Sequence, residues 1–143
     1  MPAADAAPIL ALGGSDFIQL TTFRRNGEGV PTPVWVVPDG SRLAAFTPTG
    51  TGKLKRIAHT PRVTVAECSR RGHVADGVIP VEATATATSD PAEVARVTRL
   101  LAGKYGLQFR LVMLVERALA RGPRRRTAIH IVLDDPAGEA TAA

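Results

Sequence analysis

Short apolar runs alternate with turn-forming clusters along the chain, and their periods predict a mainly β protein. Residues 17–25, FIQLTTFRR, carry the threonine and aromatic enrichment of a strand. Asn26-Gly27-Glu28-Gly29 supplies turn chemistry, and residues 30–38, VPTPVWVVP, read as a second strand that completes a hairpin. Pro31 and Pro33 stand two apart, so both lack an N–H on the same side of that strand. An edge, a bulge or a ligand-facing stretch tolerates this; a central ladder position does not. Asp39-Gly40-Ser41 turns the chain into a third strand over residues 42–47.

The period then changes. Leu54, Ile57 and Ala58 recur at helical spacing and predict a helix over residues 52–59, with Thr51 as its cap and Pro61 as its stop. Residues 62–69 alternate as strand four. Residues 70–78 form a polar loop. Residues 81–88 set Val and Ala against Glu and Thr as strand five. Asp90, Pro91 and Glu93 then make an N-cap, a first-turn proline and a capping box. The helix they open has an apolar face of Val94, Val97, Leu100 and Leu101, which leaves Arg96 on its outer face. Gly103 and Gly106 are expected to break it around Tyr105. A second helix over residues 107–121 places Leu111, Leu114 and Ala118 on one stripe, and Gly122-Pro123 ends it. Residues 124–135 form the last strand, sending Ile129, Ile131 and Leu133 to one face and Ala128, His130 and Val132 to the other.

The order is therefore β-β-β-α-β-β-α-α-β. Strands joined by short turns pair antiparallel, and six of them with alternating faces favour a barrel over an open sheet. A βαβ nucleotide fold needs helices between successive strands, which this order lacks. At 143 residues the chain is expected to form one domain, with residues 1–12 and 136–143 as loose ends.

Composition narrows the classes further. Hydrophobic residues make up 45% and charged residues 22%, too apolar a mixture for disorder. The single cysteine, Cys68, rules out a disulfide scaffold, reads as structural and agrees with a cytoplasmic location. No apolar run reaches the ~20 residues of a membrane span, and no basic residue precedes the first apolar stretch as in a secretory signal. Lys and Arg number 18 against 13 Asp and Glu, a net charge of +5. Fifteen of those bases are arginine, whose fork matches phosphate and carboxylate; a GC-rich coding sequence produces the same enrichment. Aromatic residues are only 4%, and the bases fall in loops and at strand ends, which argues against a nucleic-acid-binding barrel.

The stretch with most chemistry is TPTGTGKLKR, residues 47–56. A threonine- and glycine-rich loop opens a helix whose first turns carry Lys53, Lys55 and Arg56. Bases there oppose the helix dipole, so a bound anion gives them a reason; a solvated basic turn is the alternative. The segment is not a P-loop, because Thr47 stands where the first glycine belongs and Leu54 follows the lysine. Trp35, the only tryptophan, either lies against a flat ligand or fills the barrel. His59, His73 and His130 make no metal motif. Glu67 and Glu82 are not marked as an acid/base couple. Arg124, Arg125 and Arg126 read as a solvated strand end, with binding of an acidic cofactor tail as the lesser reading.

In order, the hairpin TTFRRNGEGVPTPVW, the loop TPTGTGKLKRI and the strand PRVTVAEC resemble the split-barrel family related to pyridoxamine 5′-phosphate oxidase. The resemblance is greatest to its branch of oxidoreductases that use the deazaflavin coenzyme F420. It implies a mainly β, FMN-binding-like split barrel of six antiparallel strands that forms a homodimer with two cofactor sites at the interface. It also implies hydride transfer between the deazaflavin and a small-molecule substrate, with no membrane. Lys53 would meet the cofactor phosphate, helped by Thr47, Thr51, Gly52, Lys55 and Arg56. Thr32, Pro33, Val34 and Trp35 would run beside the ring system. The flavin-binding oxidases of the family carry an Arg and a Lys within the frame of residues 32–38. This chain has no base there, which favours the deazaflavin over FMN.

Overall fold

The computed structural model describes residues 12–119 and 125–134. Of the expected loose ends at 1–12 and 136–143, all but Leu12 lie outside the described residues, as do the Gly122-Pro123 stop and Arg124; Leu12 is not loose but buried in the barrel core. The elements are β1 (Phe17–Phe23), β2 (Gly29–Val34), β3 (Val37–Asp39), β4 (Arg42–Pro48), α1 (Gly52–His59), β5 (Arg62–Cys68), β6 (Val81–Thr88), α2 (Pro91–Tyr105), α3 (Leu107–Leu119) and β7 (Arg126–Leu133). All pairings are antiparallel, in the order β2-β1-β5-β6-β7-β4-β3. The sheet curls into a barrel-like form that is not closed, and none of the described helices is long and apolar enough to cross a membrane.

The sequence predicts six strands, and the described residues form seven. The expected second strand, 30–38, divides: β2 pairs with β1, β3 pairs with β4, and Trp35 and Val36 carry the chain from one edge of the sheet to the other. β2 is an edge strand, as Pro31 and Pro33 demand. The Ser69–His73 turn lies against it. Gln19 Nε2 donates to the Gly72 carbonyl at 3.0 Å, and Gly72, at φ +85°, has only the Pro33 ring beside the place a Cβ would occupy. Covering an edge in this way protects it from pairing with another chain.

Two cores result. Ile18, Leu20, Val36, Leu43, Val63, Val65, Ile129 and Ile131 fill the barrel. Ala44, Phe46 and Ala128, on the opposite faces of β4 and β7, pack under Val97, Leu101, Tyr105 and Phe109 of the helices. Both faces of these two strands are buried because α2 and α3 cover the outside. The alternation of β7 follows the sequence: Ile129 and Ile131 point inward, Ala128 and His130 face α2 and α3, and Val132 is exposed.

The helices differ from expectation in three ways. Gly103 does not break α2, which runs on to Tyr105 and stops at Gly106 with φ 58°. An interior glycine costs about 1 kcal/mol, less than the burial of Leu101 and Tyr105 on the same turns returns. The capping box is half made: Asp90 accepts from the Glu93 N–H at 3.3 Å, but the Glu93 side chain goes to Arg96 and His130. Arg96 is not a solvated outer-face residue, since it grips Asp39 of β3. On α3, Leu111 and Leu114 face solvent, while Phe109, Val112 and Met113 turn toward the sheet.

Candidate functional site

The Trp35–Val36 crossing, the end of β4, the start of α1 and the inner face of α3 surround a cleft of about 250 Å³. Pro33, Val34 and Trp35 form one wall, and Val112 and Met113 of α3 form the facing one. Phe17, Phe46 and Pro48 add apolar surface. Thr47, Lys53, Glu116 and Arg126 supply the polar groups. Trp35 is held flat by a stack on Tyr105, with centroids 4.8 Å apart and planes 18° apart, and by a tilted contact with Phe109 at 5.7 Å. The ring therefore packs outside the barrel, and its cleft side remains available.

Lys53 stands at the second residue of α1. Its ammonium donates to Thr47 Oγ1 at 3.2 Å, and no carboxylate among the described residues pairs with it. Burial, and then the Arg56 charge, push its pKa below the ordinary lysine value. A half-buried cation without a counter-charge, in an apolar cleft, at a helix start, is electrostatically short of an anion. The other charges in the cleft are matched: Glu116 and Arg126 pair with each other, and the Arg126 guanidinium lies over the Phe46 ring at 4.6 Å. Arg126 is thus part of the cleft and not a solvated strand end. Arg125 is exposed, with its carbonyl accepting from Thr49 N–H at 3.0 Å.

Of the ten residues singled out from sequence, Pro33, Val34, Trp35, Thr47 and Lys53 line this cleft. The other five do not. Thr32 Oγ1 donates to the Leu20 carbonyl across the β1–β2 ladder at 3.4 Å. Thr51 occupies the N-cap of α1 without making a side-chain cap, and its Oγ1 is buried with no hydrogen-bond partner. Gly52 sits under the Arg56 guanidinium, where a Cβ would lie 2.9 Å from Nη1. Lys55 is exposed. Arg56 turns away and donates to Thr22 Oγ1 at 2.6 Å, beside a separate depression lined by Arg24, Arg25, Asn26 and His59. A base in the last turn suits the carbonyl end of α1, which explains Arg56 and His59 structurally.

Sequence reasoning missed Phe17, Phe46, Pro48, Val112, Met113 and Glu116, and gave Arg126 a binding role only as the lesser reading. Phe109, Val112, Met113 and Glu116 recur at helical spacing, a second face of α3 that the leucine stripe obscures.

Two other clusters are structural. Asp39, Glu93 and His130 bring three potential ligand atoms within 4.8 Å of one another. Arg96 and Arg42 lie among them and balance both carboxylates, leaving no net negative charge to draw a cation. Glu82 is bound in a two-pronged pair to Arg62 across β5 and β6, at 2.7 and 3.1 Å, and forms no couple with Glu67. Burial and Glu67 raise the Cys68 thiol, which makes it a poor nucleophile.

The fold recurs in solved structures. A conserved hypothetical protein, Rv2991 of Mycobacterium tuberculosis, matches with a TM-score of 0.64 at 18% identity, over 90% of this chain and 80% of its own. An F420 reductase matches with a TM-score of 0.57 at 18% identity, over 88% and 93%. The haem storage protein HutZ of Vibrio cholerae matches with a TM-score of 0.63 at 11% identity, over 90% of each chain. At these identities the likeness is one of fold. No curated protein sequence matches. The sequence pattern of pyridoxamine 5′-phosphate oxidase matches residues 9–135, nearly the whole length, and the chain belongs to that family.

Proposed function

We propose that the protein is an oxidoreductase that uses reduced coenzyme F420 as hydride donor to a small unsaturated or heteroaromatic substrate. The observation that carries this reading is the pairing, in one cleft, of a flat apolar wall at Pro33–Val34–Trp35 with an unmatched Lys53. A deazaflavin with a phosphate on its side chain presents the same two features, a planar ring and an anion. The fold family and a structural neighbour that is an F420 reductase support it, as does the absence of any base between residues 32 and 38.

The bound cofactor supplies the hydride chemistry. The chain binds, orients and shields it. Lys53 and Thr47 would hold the phosphate, Trp35 and Val34 would lie beside the ring, and Val112 and Met113 would help to exclude water. Glu116, the carboxylate that borders the cleft, is tied to Arg126. Solvent can supply the proton for the reduced product.

A cleft of about 250 Å³ falls below the roughly 300–1,000 Å³ that encloses a drug-sized ligand. One chain covers only part of such a cofactor, and a second copy completes the site. The exposed leucine stripe of α3, on the helix whose inner face lines the cleft, is the surface we assign to that homodimer.

The test is titration of the purified protein with F420, FMN and haem side by side. F420 binding tighter than FMN is the expected result. FMN binding about ten times more tightly, a difference of about 1.4 kcal/mol, overturns the choice of cofactor. Haem lacks a histidine ligand among the residues lining the cleft and is expected not to compete. A screen of hydride acceptors then separates an enzyme from a protein that only stores the cofactor.

A further inference from the structure

At the Trp35–Val36 crossing the backbone leaves one sheet edge and has not yet joined the other, so its polar groups have no ladder partner. Val36 is also fully buried, which denies it water. Two consecutive side chains at the end of α2 supply what is missing. The Val36 N–H donates to Tyr105 Oη at 3.1 Å, and the Val36 carbonyl accepts from Lys104 Nζ at 2.7 Å. Lys104 Nζ also donates to the carbonyls of Gly13 at 2.7 Å and Ser15 at 2.6 Å, which uses all three ammonium hydrogens. Tyr105 Oη passes its own hydrogen to the Asp16 carbonyl at 2.8 Å. The same tyrosine carries the ring on which Trp35 stacks.

We propose that Lys104 and Tyr105 are positioning residues for the cofactor wall. They clamp the crossing between β2 and β3 to the segment before β1, and so set where Trp35 stands in the cleft. This rests on the cleft being the cofactor site, but the clamp itself is measurable without any cofactor. Neither residue lines the cleft. They act through Val36 and Trp35. The arrangement differs from ordinary helix capping, since the groups satisfied belong to a distant strand crossing, 68 and 69 residues away in sequence.

The experiment uses Trp35, the only tryptophan, as the probe. Tyr105→Phe keeps the stacked ring and removes the hydroxyl; Lys104→Met keeps the length and removes the charge. In the ligand-free protein each variant is expected to stay folded by circular dichroism, to shift Trp35 emission to the red and to quench more readily with acrylamide. The Val36 amide is expected to exchange slowly in the wild type and about tenfold faster in Tyr105→Phe, the effect of losing one buried hydrogen bond, while the amides of β1 hold. F420 affinity is expected to fall in parallel. Folded variants with unchanged Trp35 emission and quenching overturn the clamp. Rapid exchange at Val36 in the wild type also overturns it, and that measurement needs no variant to fold. Failure of the wild type to bind either F420 or FMN removes the proposed function instead, and leaves the fluorescence and exchange results to decide the clamp.

Discussion

Arg96 and Asp39 meet end to end: Nη1 lies 2.9 Å from Oδ1, and Nη2 lies 2.7 Å from Oδ2. The pair ties α2 to β3, just beyond the strand crossing. Glu93 accepts from Arg96 on one side and from His130 Nε2, 2.9 Å away on β7, on the other. α2 is thus fixed to both strands beneath it, and through Lys104 and Tyr105 it fixes the wall of the cleft.

Acid should loosen this tie. The Arg96 hydrogen bond, helped by Arg42 and opposed by burial, lowers the Asp39 pKa from 3.8 to about 2. The folded value is below the unfolded one, so the stabilisation is complete above about pH 4 and is lost as the pH falls through about 2. Thermal melts across that range should show Tm falling in the wild type. Asp39→Asn should start lower at neutral pH and fall less steeply. An equal acid slope in both proteins would place the acid sensitivity elsewhere.

Lys53→Ala should weaken F420 binding and leave the fold intact. A charge-assisted hydrogen bond to phosphate is worth about 1.5–3 kcal/mol, so the loss should be roughly tenfold to a hundredfold in affinity. Burial and Arg56 already disfavour the Lys53 charge in the folded chain, so Tm should hold or rise slightly. Arg99→Ala, exposed on α2, is the control for loss of one positive charge and should bind as the wild type does. An unchanged dissociation constant in Lys53→Ala would put the phosphate elsewhere.

Much of this was legible in the sequence, and what was not has a physical cause. Pro31 and Pro33 announced an edge strand, Pro61 the end of α1, and Asp90 with Pro91 the start of α2. These are local effects of missing N–H groups and caps. The break at Trp35–Val36 left no local mark, because VWVV is uninterrupted β sequence and only the choice of partner strand divides it. Lys53 and Thr47 were found because a base at a helix start is anomalous. Lys55 and Arg56 shared that anomaly in sequence, but the helical turn points them elsewhere. Arg96 and Lys104 look like ordinary surface charges until strands far away in sequence arrive beside them, and Glu116 looks like one until the chain folds back ten residues on to bring Arg126 against it.

Thr51 offers a sharper test of the phosphate loop. Its Oγ1 is buried without a partner, a loss of about 1–3 kcal/mol that the ligand-free chain tolerates. Thr51→Val has the same shape and removes the unpaired group. The variant should therefore melt at or above the wild-type temperature. If the loop reorganises on the phosphate so that this hydroxyl donates to it, F420 affinity should drop in the same variant. Higher stability with weaker binding is the expected combination, read from melts with and without cofactor. Lower stability without cofactor would mean the hydroxyl already has a partner in solution.

The leucine stripe of α3 decides whether the site is shared. Leu107 is 80% exposed and Leu119 81%, with Leu111, Leu114 and Val115 exposed between them on the same side of the helix. A contiguous apolar face of this kind on a soluble protein marks a contact surface. The opposite side of the same helix presents Val112, Met113 and Glu116 to the cleft, so a copy docked on the stripe would brace the helix that forms one wall of the cleft. Sedimentation at micromolar concentration should give twice the 15.0 kDa chain mass. Leu111→Asp combined with Leu114→Asp should give the monomer. Both side chains already face solvent, so the change should cost the monomer fold little, and the concentration dependence of Tm should disappear. F420 affinity should fall when the dimer is lost, because one cleft of about 250 Å³ cannot enclose the cofactor alone. A wild-type monomer, or a double variant that still dimerises, would remove α3 from the interface. A monomeric variant with undiminished affinity would show that each chain holds its cofactor unaided.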